Sequence, residues 1–263
     1  MIRIDTHAHV YPVKIADKAS AAIGRFYDVP IRHHGSLEEL IGLEEEAGVS
    51  RIVAHSVATT PAQIEHINEF ILECYHQYPQ RILPFAAMHP DARDLEGLVE
   101  RIVEQGFLGI KLHPDFQEFQ LDEPRALRMF RAIGDKLPVL IHTGDYRYDF
   151  SGPKRMAHVL DEVPELTAIG AHLGGWSQYE EAVETLAGRR MYVDTCSAVY
   201  ALRPERAVEI IRAFGVENVL FGTDFPMWTP KEEVERIENL ALTQEEKECI
   251  FHRNAERLLK LPS

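Results

Sequence analysis

The sequence predicts a (β/α)8 barrel built as one domain over residues 1–263, and three observations carry that prediction. Short apolar runs rich in β-branched residues alternate with segments of helical periodicity, and the alternation repeats about eight times. The length of 263 residues fits that number of strand–helix units. Titratable side chains stand at the end of nearly every run, where a parallel barrel gathers its functional groups. A doubly wound open sheet is the competing architecture. It usually has fewer strands at this length, and no Gly-x-Gly-x-x-Gly turn follows any run here.

Taken in order, the expected strands are residues 2–5, 51–54, 81–87, 108–112, 139–141, 167–171, 191–194 and 219–222. Helical spacing appears in Leu37, Leu40, Ile41 and Leu43, and again in Ile64, Ile67, Phe70 and Ile71. Ser36 and Pro61 are suitable helix starts, and Gly48, Gly106 and Gly215 stand where helices give way to strands. The connections are short except after the first strand. There, residues 11–35 form an insertion carrying Phe26, Tyr27, His33 and His34, expected to cover the site and so to favour a small or medium-sized substrate. Residues 243–259 read as additional helix outside the barrel.

Composition narrows the class. A hydrophobic fraction of 45% with 27% charged residues is that of a soluble globular protein. The net charge of −14 disfavours nucleic acid and anionic membranes as partners, because both would be repelled. Cys74, Cys196 and Cys249 are too few and too scattered for a disulfide framework, and their odd number fits a reducing compartment. No apolar stretch approaches the roughly 18 residues of a membrane span, and Arg3 and Asp5 interrupt what would be a signal sequence. The expectation is a soluble, cytoplasmic protein whose partner is a small molecule and which can pair as a homodimer.

The chemistry begins at Asp5-Thr6-His7-Ala8-His9. If residues 2–9 form a strand, His7 and His9 face the same side and offer two imidazoles to one point. The pair alone says little, since 13 histidines in 263 residues give roughly 0.6 His-x-His pairs by chance. The other strand ends add His55, His89, Lys111 with His113, His142, His172, Asp194 and Asp224. His142 and His172 each follow an apolar strand and precede a glycine turn. Either could be a metal ligand or a core histidine bonded to a carbonyl. Asp224 follows a fully apolar strand, in Gly222-Thr-Asp-Phe-Pro226, and Thr229 is the better cap for the helix that follows. Asp194 could support a ligand, contact substrate or sit in a turn. Cys196 is by default a small buried thiol.

These residues, in this order and over essentially the whole chain, resemble the amidohydrolase superfamily. The nearer branch is amidohydrolase-2, which includes aminocarboxymuconate-semialdehyde decarboxylase and related decarboxylases. The matching segments are Asp5 to His9, Gly109-Ile-Lys-Leu-His-Pro114, His142, His172 and Gly222 to Pro226. The resemblance implies that His7, His9, His142 and Asp224 bind one catalytic divalent metal, expected to be Zn2+. It implies further that His172 orients the activated water and that Asp224 relays its proton. Three imidazoles and a carboxylate suit zinc independently. Lys111 departs from the mononuclear pattern. It could be carboxylated and bridge a second metal, neutralise a substrate carboxylate, or pair with Asp194. His113 and Arg147 are the remaining candidates for substrate contact. The expected reaction is hydrolysis of an amide, ester or lactone of a small molecule by metal-activated water, with non-oxidative decarboxylation of an aromatic or unsaturated acid as the alternative.

Overall fold

A computed structural model describes residues 2–261. Eight strands follow one another: β1 (Ile4–His9), β2 (Arg51–His55), β3 (Ile82–Ala87), β4 (Gly109–Leu112), β5 (Val139–Ile141), β6 (Ala168–Gly170), β7 (Tyr192–Asp194) and β8 (Val219–Leu220). The helices are α1 (Val13–Tyr27), α2 (Leu37–Glu46), α3 (Ile64–Gln77), α4 (Leu95–Glu104), α5 (Pro114–Gln117), α6 (Pro124–Ile133), α7 (Pro153–Glu162), α8 (Tyr179–Leu186), α9 (Pro204–Phe214), α10 (Pro230–Glu238), α11 (Gln244–Glu248) and α12 (Asn254–Leu259). Every neighbouring strand pair is parallel, and the spatial order equals the chain order. The ring closes through backbone hydrogen bonds from Thr6 N–H to Phe221 O (2.9 Å), His9 N–H to Phe225 O (2.8 Å) and Asp224 N–H to His7 O (2.8 Å). This is the expected (β/α)8 barrel.

Alternation along each strand splits the apolar side chains into two layers. Ile4, Val53, Leu83, Phe85, Leu140, Ile169 and Leu220 fill the lower barrel interior. Ile52, Ala54, Ile110, Leu112, Ile141 and Val219 point outward against the helices. Because Ile110 and Leu112 face out, Lys111 and His113 face in. Residues 243–259 do not simply pack outside, as their sequence suggested. Ala255 and Leu259 of α12 join the inner cluster and cap the bottom of the barrel.

The first strand also differs from expectation. It starts at Ile4 and runs through His9, so the histidines lie within it. Its pairing with β2 shifts register between Asp5 and Ala8. In a regular strand Ile4 and His7 would face opposite sides, but the irregularity turns both into the barrel. Asp5 secures this bend, accepting from the backbone N–H of His7 (2.9 Å) and of Thr223 (3.0 Å) and from the Thr223 hydroxyl (2.6 Å). The close approach of β8 requires Gly222, since a β-carbon there would stand 2.9 Å from that of His7. Ser36 caps α2 by accepting from Glu39 N–H at 3.3 Å, as its position suggested. No helix among the described residues is long and apolar enough to cross a membrane.

Candidate metal centre

The upper barrel holds a ring of polar side chains centred on Asp224. Its Oδ1 lies 3.4 Å from His7 Nε2 and 3.5 Å from His9 Nε2. Asp224, His172, Leu173 and Ser197 all adopt positive φ (59°, 60°, 53° and 50°), a conformation L-residues avoid unless the surroundings impose it. Each lies just past the end of β6, β7 or β8, so the strained backbone turns these side chains over the barrel mouth. The Ser197 hydroxyl donates to Asp224 Oδ2 and accepts from the Trp228 indole N–H at 2.7 Å. Asp224 is thus clamped on one oxygen and leaves the other facing the histidines.

The hydrogen-bond network fixes the imidazole tautomers. His7 Nδ1 donates to Asp194 Oδ2 (2.8 Å), which leaves the Nε2 lone pair facing the barrel axis. His172 Nδ1 meets the Cys196 carbonyl (3.0 Å), which can only accept, so His172 Nε2 carries a lone pair. His142 Nδ1 lies 2.9 Å from that Nε2 and must donate to it. His142 Nε2 therefore also carries a lone pair, and it is a buried atom with no hydrogen-bond partner. The His7 and His9 Nε2 atoms beside Asp224 Oδ1 are donors of the kind a divalent cation takes, whereas the unpartnered His142 Nε2 faces Asp115 Oδ2 at 3.7 Å. Asp194 supports His7 from behind, and it also accepts from the His172 backbone N–H (2.8 Å) and the Cys196 thiol (3.1 Å).

Burial pushes His7, His9, His113 and His142 below the usual imidazole range, with neighbouring cationic groups adding to the effect. They are neutral, as ligation requires. Burial alone would raise the Asp224 carboxyl, but His7, His9 and His172 outweigh it and hold the group well below the ordinary carboxylate range. Burial lowers Lys111 to about 8, partly offset by Asp224, Cys196 and Asp194. Its Nζ donates to His7 Nε2 at 2.8 Å.

The structure brings His7, His9, Asp224, His172 and Lys111 together directly. His142 is joined through His172, and its ring stacks on His113 at 3.9 Å. His113 lines the pocket, yet it also caps α5 and bonds the Tyr27 hydroxyl through Nε2 at 2.9 Å. Arg147 is placed elsewhere. Its guanidinium grips Asp145, reaches Phe26 O (2.7 Å) and lies over the rings of Phe26, Tyr27, Tyr148 and Trp176. It fastens α1 to the loop after β5 rather than facing the pocket, which corrects its assignment as a substrate contact.

Helix α1, from the long insertion, does roof the site. Ile23 and Tyr27 line a small cavity of about 20 Å³, together with Phe116, Trp176, Met227 and the polar ring. The insertion is tied down a second time by His33, whose Nε2 meets the Thr229 hydroxyl at 2.9 Å. Ser197 was not foreseen, because a serine in a short loop carries no sequence signal of its positive φ. His55 and Cys196 were visible at strand ends, but nothing in the sequence showed how close they come to His7. Cys196 Sγ lies 3.1 Å from His7 Nδ1.

Solved structures share this fold at low identity. An uncharacterised TIM-barrel protein from Bordetella bronchiseptica superposes with a TM-score of 0.81 at 21% identity, covering 99% of both chains. The 5-carboxyvanillate decarboxylase of Sphingomonas paucimobilis gives 0.76 at 15% identity and 99% of both chains. A dihydroxybenzoic acid decarboxylase of Polaromonas sp., solved with manganese and 2-nitroresorcinol, gives 0.73 at 16% identity, covering 98% of this chain and 97% of that one. No curated protein matches the sequence. A family model described as Amidohydrolase matches residues 4–261, nearly the whole chain that builds the barrel and its polar ring. The chain belongs to the amidohydrolase family.

Proposed function

We propose that this protein is a metal-dependent decarboxylase of a small, flat carboxylic acid. The observation that carries the reading is the pocket. A single buried ammonium, Lys111, and the polar ring form its floor, and the aromatic faces of Tyr27, Phe116 and Trp176 form its walls beneath α1. A cationic floor under aromatic walls suits a flat acid with its charged edge down, for which α1 would have to draw back, since the cavity beneath it is only about 20 Å³. The decarboxylases among the structures of the same fold support this reading over hydrolysis.

His7, His9, His142 and Asp224 would hold the cation, which supplies a positive pole that anchors the substrate and stabilises negative charge developing on it. The donors suit Zn2+, and manganese in the Polaromonas neighbour makes it the second candidate. Lys111 Nζ stands as an ammonium donating to His7 Nε2 at 2.8 Å, and we read it as a cation rather than as a bridging carbamate. Its charge serves the substrate carboxylate instead. Asp224, held ionised, accepts a proton from an acidic hydroxyl of the substrate and returns it to the ring carbon that bears the carboxylate. The bond to that carboxylate then breaks, its electron pair returns to the ring, and CO2 leaves. His172, fixed through both nitrogens, keeps the orientation of His142 and the site's neutral tautomers.

A second reading rests on the same ionised Asp224. It is equally placed to take a proton from an attacking water, which would hydrolyse an amide, ester or lactone. The two separate in one experiment. Metal-loaded protein is offered hydroxybenzoates, unsaturated acids, lactones and amides in 18O-water. Release of CO2 with no 18O in the organic product supports decarboxylation. Product carrying 18O with no CO2 overturns it in favour of hydrolysis.

A further inference from the structure

We infer that His55 is a direct ligand of the metal centre, a third imidazole beside His7 and His9 contributed by β2. The pairing of β1 with β2 sets His9 and His55 as direct partners. Side chains at partnered positions of parallel strands share a face, so both rings point inward. The register is locked by Val10 N–H to His55 O (3.0 Å) and by the Ser56 hydroxyl bound to Val10 O. The His55 ring meets His9 edge to face at 4.4 Å between centroids and His7 at 5.0 Å. One nitrogen from each of the three imidazoles lies within 4.8 Å of the others.

What singles His55 out is the state of its nitrogens. The residue is fully buried, and neither Nδ1 nor Nε2 has a hydrogen-bond partner. Two unmet polar atoms in a protein interior need an explanation, and a bound ion is one of the few available. A packing histidine is ordinarily satisfied. His89, at the end of β3, is buried yet accepts from Asp91 N–H at 3.1 Å. His9 Nδ1 is orphaned as well, on the ring that His55 touches. A cation shared with His7 and His9 would give His55 the electron-pair acceptor that the protein does not supply.

This inference rests on the proposed metal dependence, and the test separates the two. Metal-free wild type, His55→Gln and the control His89→Gln are titrated with Zn2+ against a chromophoric chelator. The visible spectrum of each Co2+-loaded protein is recorded alongside. The expected result is normal binding by wild type and His89→Gln, with binding weakened at least about 10-fold and an altered Co2+ spectrum in His55→Gln. Unchanged affinity and spectrum in His55→Gln overturn the inference while leaving the metal centre intact. No uptake by wild type overturns both. Should His55→Gln fail to fold, anomalous diffraction from Zn2+-loaded wild type decides. An ion about 2.0–2.1 Å from a His55 nitrogen supports ligation, and one beyond about 3 Å from both nitrogens refutes it.

Discussion

At the scale of single residues, the site is a set of atoms whose freedom has been removed. Asp224 is held by Ser197 on one oxygen and faces His7 and His9 with the other. Asp194 sets the tautomer of His7 and holds the backbone of His172 with the same carboxylate. These roles differ, and so do the outcomes of removing them. Asp224→Asn keeps the shape and loses the charge, so turnover on an identified substrate should fall about 10²–10⁴-fold. Asp194→Asn touches no substrate. It should weaken metal binding about 10–100-fold in a chelator competition, with no loss of secondary structure by circular dichroism. An Asp224→Asn enzyme with full turnover would remove Asp224 from the mechanism.

At the scale of elements, the strands place the chemistry and α1 encloses it. Arg147 is the fastening: one guanidinium binds Asp145, the end of α1 and four aromatic rings. Arg147→Ala should loosen α1 locally by about 1–2 kcal/mol. In hydrogen exchange, amides of Val13–Tyr27 should then exchange faster while those of α4 stay unchanged. Equal exchange in both proteins would mean the latch is idle. This scale also shows what the sequence could reveal. Strands such as β3 and β5 were legible because apolar residues fill them, and the polar ring because histidine has no packing reason to recur at strand ends. The extent of β1 was not legible. Asp5, Thr6, His7 and His9 are polar yet buried, and the groups that satisfy them come from β7 and β8, nearly two hundred residues or more away. Arg147 read as a candidate substrate contact because its aromatic partners come from three separate segments. The capping of the barrel floor by α12 was hidden for the same reason.

At the scale of the whole molecule, an acidic chain buries a cluster of neutral histidines together with several carboxyls, and the two groups oppose each other in pH dependence. Burial lowers His7, His9, His55, His113 and His142 below the ordinary 6.5. The unfolded chain takes up protons on these rings first, so stability is lost as pH falls below about 6.5. Burial raises Asp115 to about 7 and Glu233 to about 8, and also raises Glu44, whose carboxyl faces that of Asp5. These groups stay protonated in the folded chain where the unfolded one has ionised them, so their contribution declines as pH rises toward about 8. In melts of the metal-free protein against pH, the histidine contribution should be lost below about pH 6.5 and the carboxyl contribution progressively between about pH 4 and 8. Glu233→Gln should flatten the alkaline side, and an unaltered slope would show that another group sets it. The proposed divalent ion at the mouth of the barrel ties these residues together. Calorimetric titration of metal-free protein with Zn2+ and Mn2+ reads it directly. One equivalent per chain, abolished in both His7→Ala and Asp224→Ala, is the expected result. Absence of saturable binding, or binding indifferent to both substitutions, would contradict the site described above.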